Sequence, residues 1–181
     1  MNEEDIRKRV NELKREFDPK KEFGRSINKF SGAITVEAIR EVLQNEGIPV
    51  SPRDVFIKGV PIEIDLLIPS PRKTQESKLL YAPEEVLAVL EIKNAGSFGE
   101  KTINTTRDNF NRIKQIAAKA LCCYVALAER RNFKDAVKDE NIRPFKAYTL
   151  FEHDNSGNYK PTGEWKKLLE DLREVIRRPP G

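Results

Sequence analysis

Two apolar segments of this chain carry residues that could together hydrolyse a phosphodiester. Asp65 lies in the segment 61–68, and Glu91 and Lys93 end the segment 86–93. Both segments are typical of strands, in which alternate side chains share a face, so Glu91 and Lys93 point the same way. If the strands are neighbours, Asp65 and Glu91 converge on one Mg²⁺, for which Mn²⁺ is a substitute. The carbonyl of Ile92 is placed to complete the metal shell, and the ammonium of Lys93 to orient a nucleophile or offset charge.

The acid-x-Lys triplet is not specific by itself, because the chain contains five such triplets. Glu91-Ile92-Lys93 alone ends an apolar strand, follows an Asp on a preceding strand and precedes a helix. The competing interpretation is a sheet edge with solvated charges. Burying Glu91 and Lys93 at the end of so apolar a strand is costly without a functional reason, which favours a site.

The composition restricts the ligands that a metal could have. The 181 residues include one histidine, His153, and two adjacent cysteines, Cys122 and Cys123, which cannot crosslink distant parts of a fold. A histidine-rich zinc site and two-histidine chemistry are therefore excluded. Any metal would be a hard cation bound by carboxylates.

Charge and hydropathy give broader limits. The net charge of +4 is compatible with a polyanionic partner without requiring one. No apolar run is long enough to span a membrane, and the charged start Met1–Asp5 does not resemble a secretory signal. We therefore expect a cytoplasmic protein.

The elements that must position these residues form an α/β pattern. Apolar spacing predicts a helix over 3–17, a basic loop over 20–31, a second helix over 33–45 and a hairpin turning at Lys58-Gly59. The most strand-like run, 86–93, is apolar enough for a central strand covered on both faces. The remaining predicted elements are a helix over 105–120, strands over 122–127 and 145–151, a short helix over 133–138, a loop over 154–163 and a final helix over 164–178. The order predicts one domain over 1–181.

This order resembles that of the PD-(D/E)XK, or restriction-endonuclease-like, nuclease superfamily. The matching features are a helix, a hairpin segment containing Ile64-Asp65, a strand ending in Glu91-Ile92-Lys93, a helix and a strand, over about residues 31–127. The resemblance implies a mixed central β-sheet flanked by α-helices, Mg²⁺-dependent cleavage of DNA, and Asp65, Glu91 and Lys93 in the motif positions. Ile64 stands where the motif has proline.

A third acidic ligand is left open among three residues. Many superfamily members carry a further acid on the helix before the hairpin, which points to Glu37 and then to Glu41. A helical wheel places both almost opposite the buried face, as expected of surface acids. Glu63 shares a predicted strand face with Asp65 and is a comparable candidate.

Three basic clusters are candidates for DNA contacts. Lys29 and Arg25 lie in the predicted loop 20–31, Arg72 and Lys73 lie between the motif strands, and Arg107 and Lys114 share a polar face of the following helix. Each cluster taken singly is also typical of an ordinary solvated surface. Because cutting both strands commonly uses two copies, a homodimer is an expectation. The alternative function is a non-catalytic nucleic-acid-binding or assembly protein that keeps the nuclease fold.

Overall fold

The computed structural model describes residues 1–16, 28–71, 79–96, 100–129, 145–153 and 158–178. Four α-helices lie within these ranges. They are α1 (Glu3–Glu16), α2 (Asn28–Asn45), α3 (Glu100–Ile116) and α4 (Glu164–Arg177). No helix in the described ranges has the length and apolarity needed to cross a membrane. The predicted short helix over 133–138 lies outside the described residues.

Helix α2 begins five residues before the predicted start at 33, so the prediction of a loop reaching residue 31 is wrong. Phe30 packs against the core, and Asn94 of the central strand donates to the hydroxyl of Ser31 at 3.3 Å. These contacts stabilise an extra turn despite Gly32. Tertiary packing here outweighs local propensity.

The strands form two mixed sheets, and the larger one is the mixed central sheet that the fold class predicts. The smaller sheet has the order β2-β1-β4, and the larger has the order β3-β5-β6-β7-β8, with β5-β6 and β6-β7 parallel and both edge pairs antiparallel. The strands are β1 (Val55–Ile57), β2 (Val60–Ile64), β3 (Leu66–Pro69), β4 (Leu80–Tyr81), β5 (Val86–Gly96), β6 (Leu121–Glu129), β7 (Lys146–His153) and β8 (Tyr159–Pro161), with a 3₁₀ turn over Pro83–Glu85.

The segment predicted as one strand over 61–68 is two strands separated at Asp65. Before it, β2 pairs with β1 in the smaller sheet; after it, β3 pairs with β5 in the larger one. Apolar residues on both sides of the bend conceal this change of sheet in the sequence. The loop predicted over 154–163 also contains a strand, because β8 pairs antiparallel with β7.

The central strand β5 separates two apolar clusters, one on each face of the larger sheet. Leu90 and Ile92 face the cluster that includes apolar residues of α1, α2 and α4. Val89 faces the other cluster, which includes the smaller sheet and α3. Since strand side chains alternate, Glu91 and Lys93 belong to the α3 side of the sheet.

Candidate active site

Asp65 occupies the bend where the chain passes from one sheet to the other. Leu66 is paired with Leu90 in the antiparallel β3-β5 ladder, so Asp65 stands one residue beyond the paired stretch. There the carboxylate acts as the hydrogen-bond acceptor that a paired main chain would otherwise supply. Its Oδ2 accepts a hydrogen bond of 2.6 Å from the backbone N–H of Ile92. The expectation that the two motif segments are neighbours is confirmed.

Glu91 and Lys93 lie on β5 with both side chains half-buried. The ammonium of Lys93 forms an ion pair with Oε1 of Glu91. Beside Glu91, in register on β6, lies the buried Tyr124. The sheet thus brings the Asp65 carboxylate, the Glu91 carboxylate and the Lys93 ammonium together around residue 92.

The electrostatics of this group are unfavourable for two carboxylates without a cation. Burial, and then the charge of Glu91, raise the pKa of Asp65 to about 6, although the hydrogen bond from Ile92 and the charge of Lys93 act in the opposite direction. Burial lowers the pKa of Lys93, but the charge and hydrogen bond of Glu91 and the charge of Asp65 outweigh it, so that the pKa is raised. Lys93 is therefore a cation at neutral pH.

The donor chemistry of the site fits a hard divalent cation. Asp65 and Glu91 supply carboxylate oxygens, which Mg²⁺ and Mn²⁺ prefer. Cys122 and Cys123, the soft donors, are buried, and burial raises the pKa of the Cys122 thiol to about 12. Within the described ranges, no three acidic, histidine or cysteine side chains are grouped as a metal cluster. A third acidic ligand therefore stays a prediction.

The structure places the three candidates for that ligand differently. The carboxylate of Glu37 accepts hydrogen bonds of 3.1 Å from Arg40 and lies 3.6 Å from Nε of Arg53. The hydrogen bonds from Arg40 hold its pKa below the ordinary value, although burial opposes them. Glu41 forms an ion pair with Arg9.

Glu63, by contrast, lines the same cleft as Glu91. Its side chain is exposed, whereas Asp65 is half-buried, so the bend has ended the shared strand face that the sequence predicted. Among the described residues, no hydrogen bond or ion pair joins Glu37 or Glu41 to Asp65 or Glu91. The carbonyl of Ile92 as a further ligand also stays a prediction.

Of the candidate DNA contacts, the structure describes the side chains of Arg107 and Lys114 only. Both lie on α3, where Arg107 donates to Asn104 at 2.8 Å and Lys114 to the carbonyl of Ala118 at 3.0 Å. Lys29 lies in the first turn of α2, but its side chain is outside the described part. The remaining three candidates, Arg25, Arg72 and Lys73, lie outside the described residues altogether.

Two polar residues that the sequence analysis missed also line the cleft beside Glu91. They are Thr106 and Asn109, which α3 turns toward the sheet. The available signal was their position, because Thr106 precedes Phe110 and Ile113 in the apolar stripe of the helix. A polar residue at a buried helical position such as Thr106 is therefore a signal that the sequence offers for this cleft.

The architecture is a mixed α/β fold of two mixed sheets flanked by helices, and solved structures share it. NucC from P. aeruginosa in its cAAA-bound form superposes with a TM-score of 0.61 at 14% identity, covering 98% of this chain and 90% of that one. NucC from E. coli gives a TM-score of 0.63 at 13% identity in its cAAA-bound form, covering 98% and 89%, and 0.54 at 12% identity in its apo form, covering 81% and 84%. No protein-family model matches this sequence, and no curated protein matches it. At such identities the likeness is one of fold.

Proposed function

We propose that this protein is a metal-dependent endonuclease that hydrolyses phosphodiester bonds of DNA. The observation that carries the proposal is the convergence of Asp65, Glu91 and Lys93 around the backbone of residue 92. The fold shared with NucC supports it, because a nuclease reaction is carried out on that fold elsewhere. The restriction type and the repair or resolvase type both remain within the proposal.

In this proposal Asp65 and Glu91 hold Mg²⁺, with the carbonyl of Ile92 as a further ligand. When bound, the cation neutralises phosphate charge and lowers the pKa of a bound water. Lys93 stays protonated because two carboxylates surround it, so its ammonium is available to orient the attacking water or to offset developing negative charge. The hydrogen bond from Ile92 fixes one oxygen of Asp65 and thereby the orientation of that carboxylate.

The second candidate is a nucleic-acid-binding or assembly protein that keeps the fold without cutting. An intact Asp65, Glu91 and Lys93 set disfavours a decayed site, but binding alone would not need it. The two candidates differ in whether DNA is broken when a divalent cation is added.

The deciding experiment incubates the full chain with supercoiled, linear, single-stranded and branched DNA, each with Mg²⁺, with Mn²⁺ and with chelator. Cleavage that chelator abolishes supports the enzyme, and the favoured substrate indicates the type. Salt-sensitive retention of DNA without cleavage supports the second candidate. If the protein neither cleaves DNA nor retains it at low salt, both candidate functions are contradicted.

The matched variants are Lys93→Ala and Lys14→Ala. Both lysines end an acid-x-Lys triplet, but Lys14 lies exposed on α1. We expect Lys93→Ala to slow cleavage by about 100-fold or more, the usual scale for one catalytic group. Lys14→Ala should cut like the wild type.

A homodimer is part of the proposal, because cutting both strands commonly uses two copies. Light scattering of the purified chain at several concentrations, with and without DNA, measures this directly. If the measured mass is that of one chain under all conditions, the homodimer is contradicted. Nicking of a single strand is then the expected reaction.

A further inference from the structure

The face that α3 turns toward the sheet is apolar except at the end nearest Glu91. Phe110, Ile113 and Ala117 form its buried stripe, with exposed fractions of 3%, 2% and 5%. Thr106 continues this stripe by one turn and is only 8% exposed. Asn109 lies on its flank and is half-buried.

No hydrogen bond within the described part of α3 accounts for the polar groups of Thr106 and Asn109. Among the described residues, the Thr106 hydroxyl and the Asn109 carboxamide have no hydrogen-bond partner. Buried polar atoms without a partner are found in the described part of the chain at Thr149 Oγ1 and Trp165 Nε1, so the polar atoms of Thr106 and Asn109 stay accessible to water. Because both side chains line the same cleft, water in that cleft is a hydrogen-bond partner available to both.

That space is the cleft between α3 and the sheets, and Glu91 forms part of its wall. The cleft has room for about one water molecule, with a volume of about 10 Å³, and its other lining residues include the apolar Ile62 and Val89. Lys93 pairs with Oε1 of Glu91, whereas Oε2 has no partner within the described part of the chain. A carboxylate oxygen, an amide and a hydroxyl are the polar partners that a single buried water requires.

We infer that Asn109 and Thr106 are positioning residues that orient the Glu91 carboxylate from the α3 side through one water molecule in this cleft. The water accepts from the amide N–H of Asn109 and donates to Oε2 of Glu91, while the Thr106 hydroxyl completes its shell. Glu91 is then held by Lys93 on one oxygen and by the water on the other. This inference rests on the proposed function, in which Glu91 is a metal ligand.

Hydrogen bonds to the ligands of a metal site affect affinity more than stability. Loss of such a supporting group usually weakens metal binding by about 10- to 100-fold. A residue with a merely structural role would instead lower the melting temperature and leave the affinity of the folded protein unchanged. Metal affinity and melting temperature together therefore separate the two roles.

The test is calorimetric titration of Mn²⁺ into the metal-free full-length protein and its variants, with melting temperatures measured in parallel. We expect Asn109→Ala to weaken Mn²⁺ binding about tenfold with an unchanged melting temperature. Asn111→Ala, an exposed residue of the same helix, is the matched control and should bind like the wild type.

Thr106 provides a second pair that keeps the test valid if Asn109→Ala does not fold. Thr106→Val removes the hydroxyl at constant shape and should weaken binding, whereas Thr106→Ser keeps the hydroxyl and should bind like the wild type. If both Asn109→Ala and Thr106→Val bind Mn²⁺ with wild-type affinity, the inference is overturned and the proposed function is unaffected. A wild-type protein that neither binds Mn²⁺ nor cleaves DNA would overturn the proposed function and, with it, the inference.

Discussion

The carboxylate of Asp65 and the backbone N–H of Ile92 are joined by a hydrogen bond of 2.6 Å. This bond attaches the bend between the two sheets to the middle residue of the Glu91-Ile92-Lys93 triplet. It also leaves Asp65 near a second carboxylate, in a place where burial disfavours its charge. Asp65 is therefore both a structural acceptor and an acid under electrostatic strain, and its two roles can be separated by mutation.

Asp65→Asn should stabilise the metal-free protein at pH 8. The amide oxygen still accepts from Ile92, but the ionised charge is gone. Because the folded-state pKa of about 6 lies above the ordinary 3.8, ionised Asp65 opposes folding above pH 6, and this cost is absent below about pH 4. We expect a gain of about 1–3 kcal/mol at pH 8 that disappears at pH 4, measured by urea unfolding in chelator. Equal unfolding free energies of Asp65→Asn and the wild type at pH 8 would contradict the conclusion that the charge of Asp65 opposes folding.

Asp65→Ala should be less stable than Asp65→Asn at both pH values. Alanine removes the acceptor and leaves the N–H of Ile92 unpaired in a partly buried place, which costs about 1–3 kcal/mol. The same unfolding series measures this difference. Asp65→Asn is consequently the cleaner variant for testing catalysis, since a fall in its activity cannot be attributed to the loss of that bond.

Binding of Mn²⁺ should weaken as the pH falls through about 6. Below that pH, protonation neutralises Asp65 and removes one charged ligand. We therefore expect the Mn²⁺ affinity to fall by up to about tenfold for each pH unit. Calorimetry between pH 5 and pH 8 measures the change. In Asp65→Asn, binding should be weak throughout this range and should lose that pH dependence, whereas an unchanged pH profile would assign the titration to another group.

Lys93→Met should bind Mn²⁺ more tightly than the wild type while losing cleavage. The Lys93 ammonium is paired with Glu91 and repels a second cation at the same carboxylates. Its removal should therefore raise the affinity several-fold, as in any site relieved of one positive charge. Lys14→Met is the matched control. Weaker binding in Lys93→Met would show that Lys93 organises the ligands more than it competes with the metal.

The third acid can be identified by comparing Glu63→Gln, Glu37→Gln and Glu41→Gln. Glu63 lines the cleft of Glu91, so its loss should weaken Mn²⁺ binding. Glu37 and Glu41 are paired with arginines, so their loss should mainly lower stability, by about 1 kcal/mol or less for each partly exposed pair. Weakened metal binding in Glu37→Gln, with Glu63→Gln unaffected, would instead favour Glu37, on the helix before the hairpin, as the third ligand.

Much of the fold could be predicted from local patterns. Continuous apolar residues over 86–93 indicated a central strand, and β5 has strands on both sides. The helical spacing of Ile6, Val10 and Leu13 indicated α1, since a helix must bury such a stripe. The start of α2 and the strand β8 could not be predicted, because contacts with distant residues stabilise them against unfavourable local composition.

The sequence by itself determined which side chains are available for chemistry. A single histidine and an adjacent cysteine pair leave carboxylates as the metal ligands, and one triplet among five has the right context. Only the tertiary structure decided how these residues meet. Asp65 lies at a bend between sheets, and Thr106 and Asn109 line the cleft of Glu91 from a helix that follows it in the chain. The physical reason is that side-chain type and periodicity are local, whereas strand pairing and the face that a helix covers depend on the burial of the whole chain.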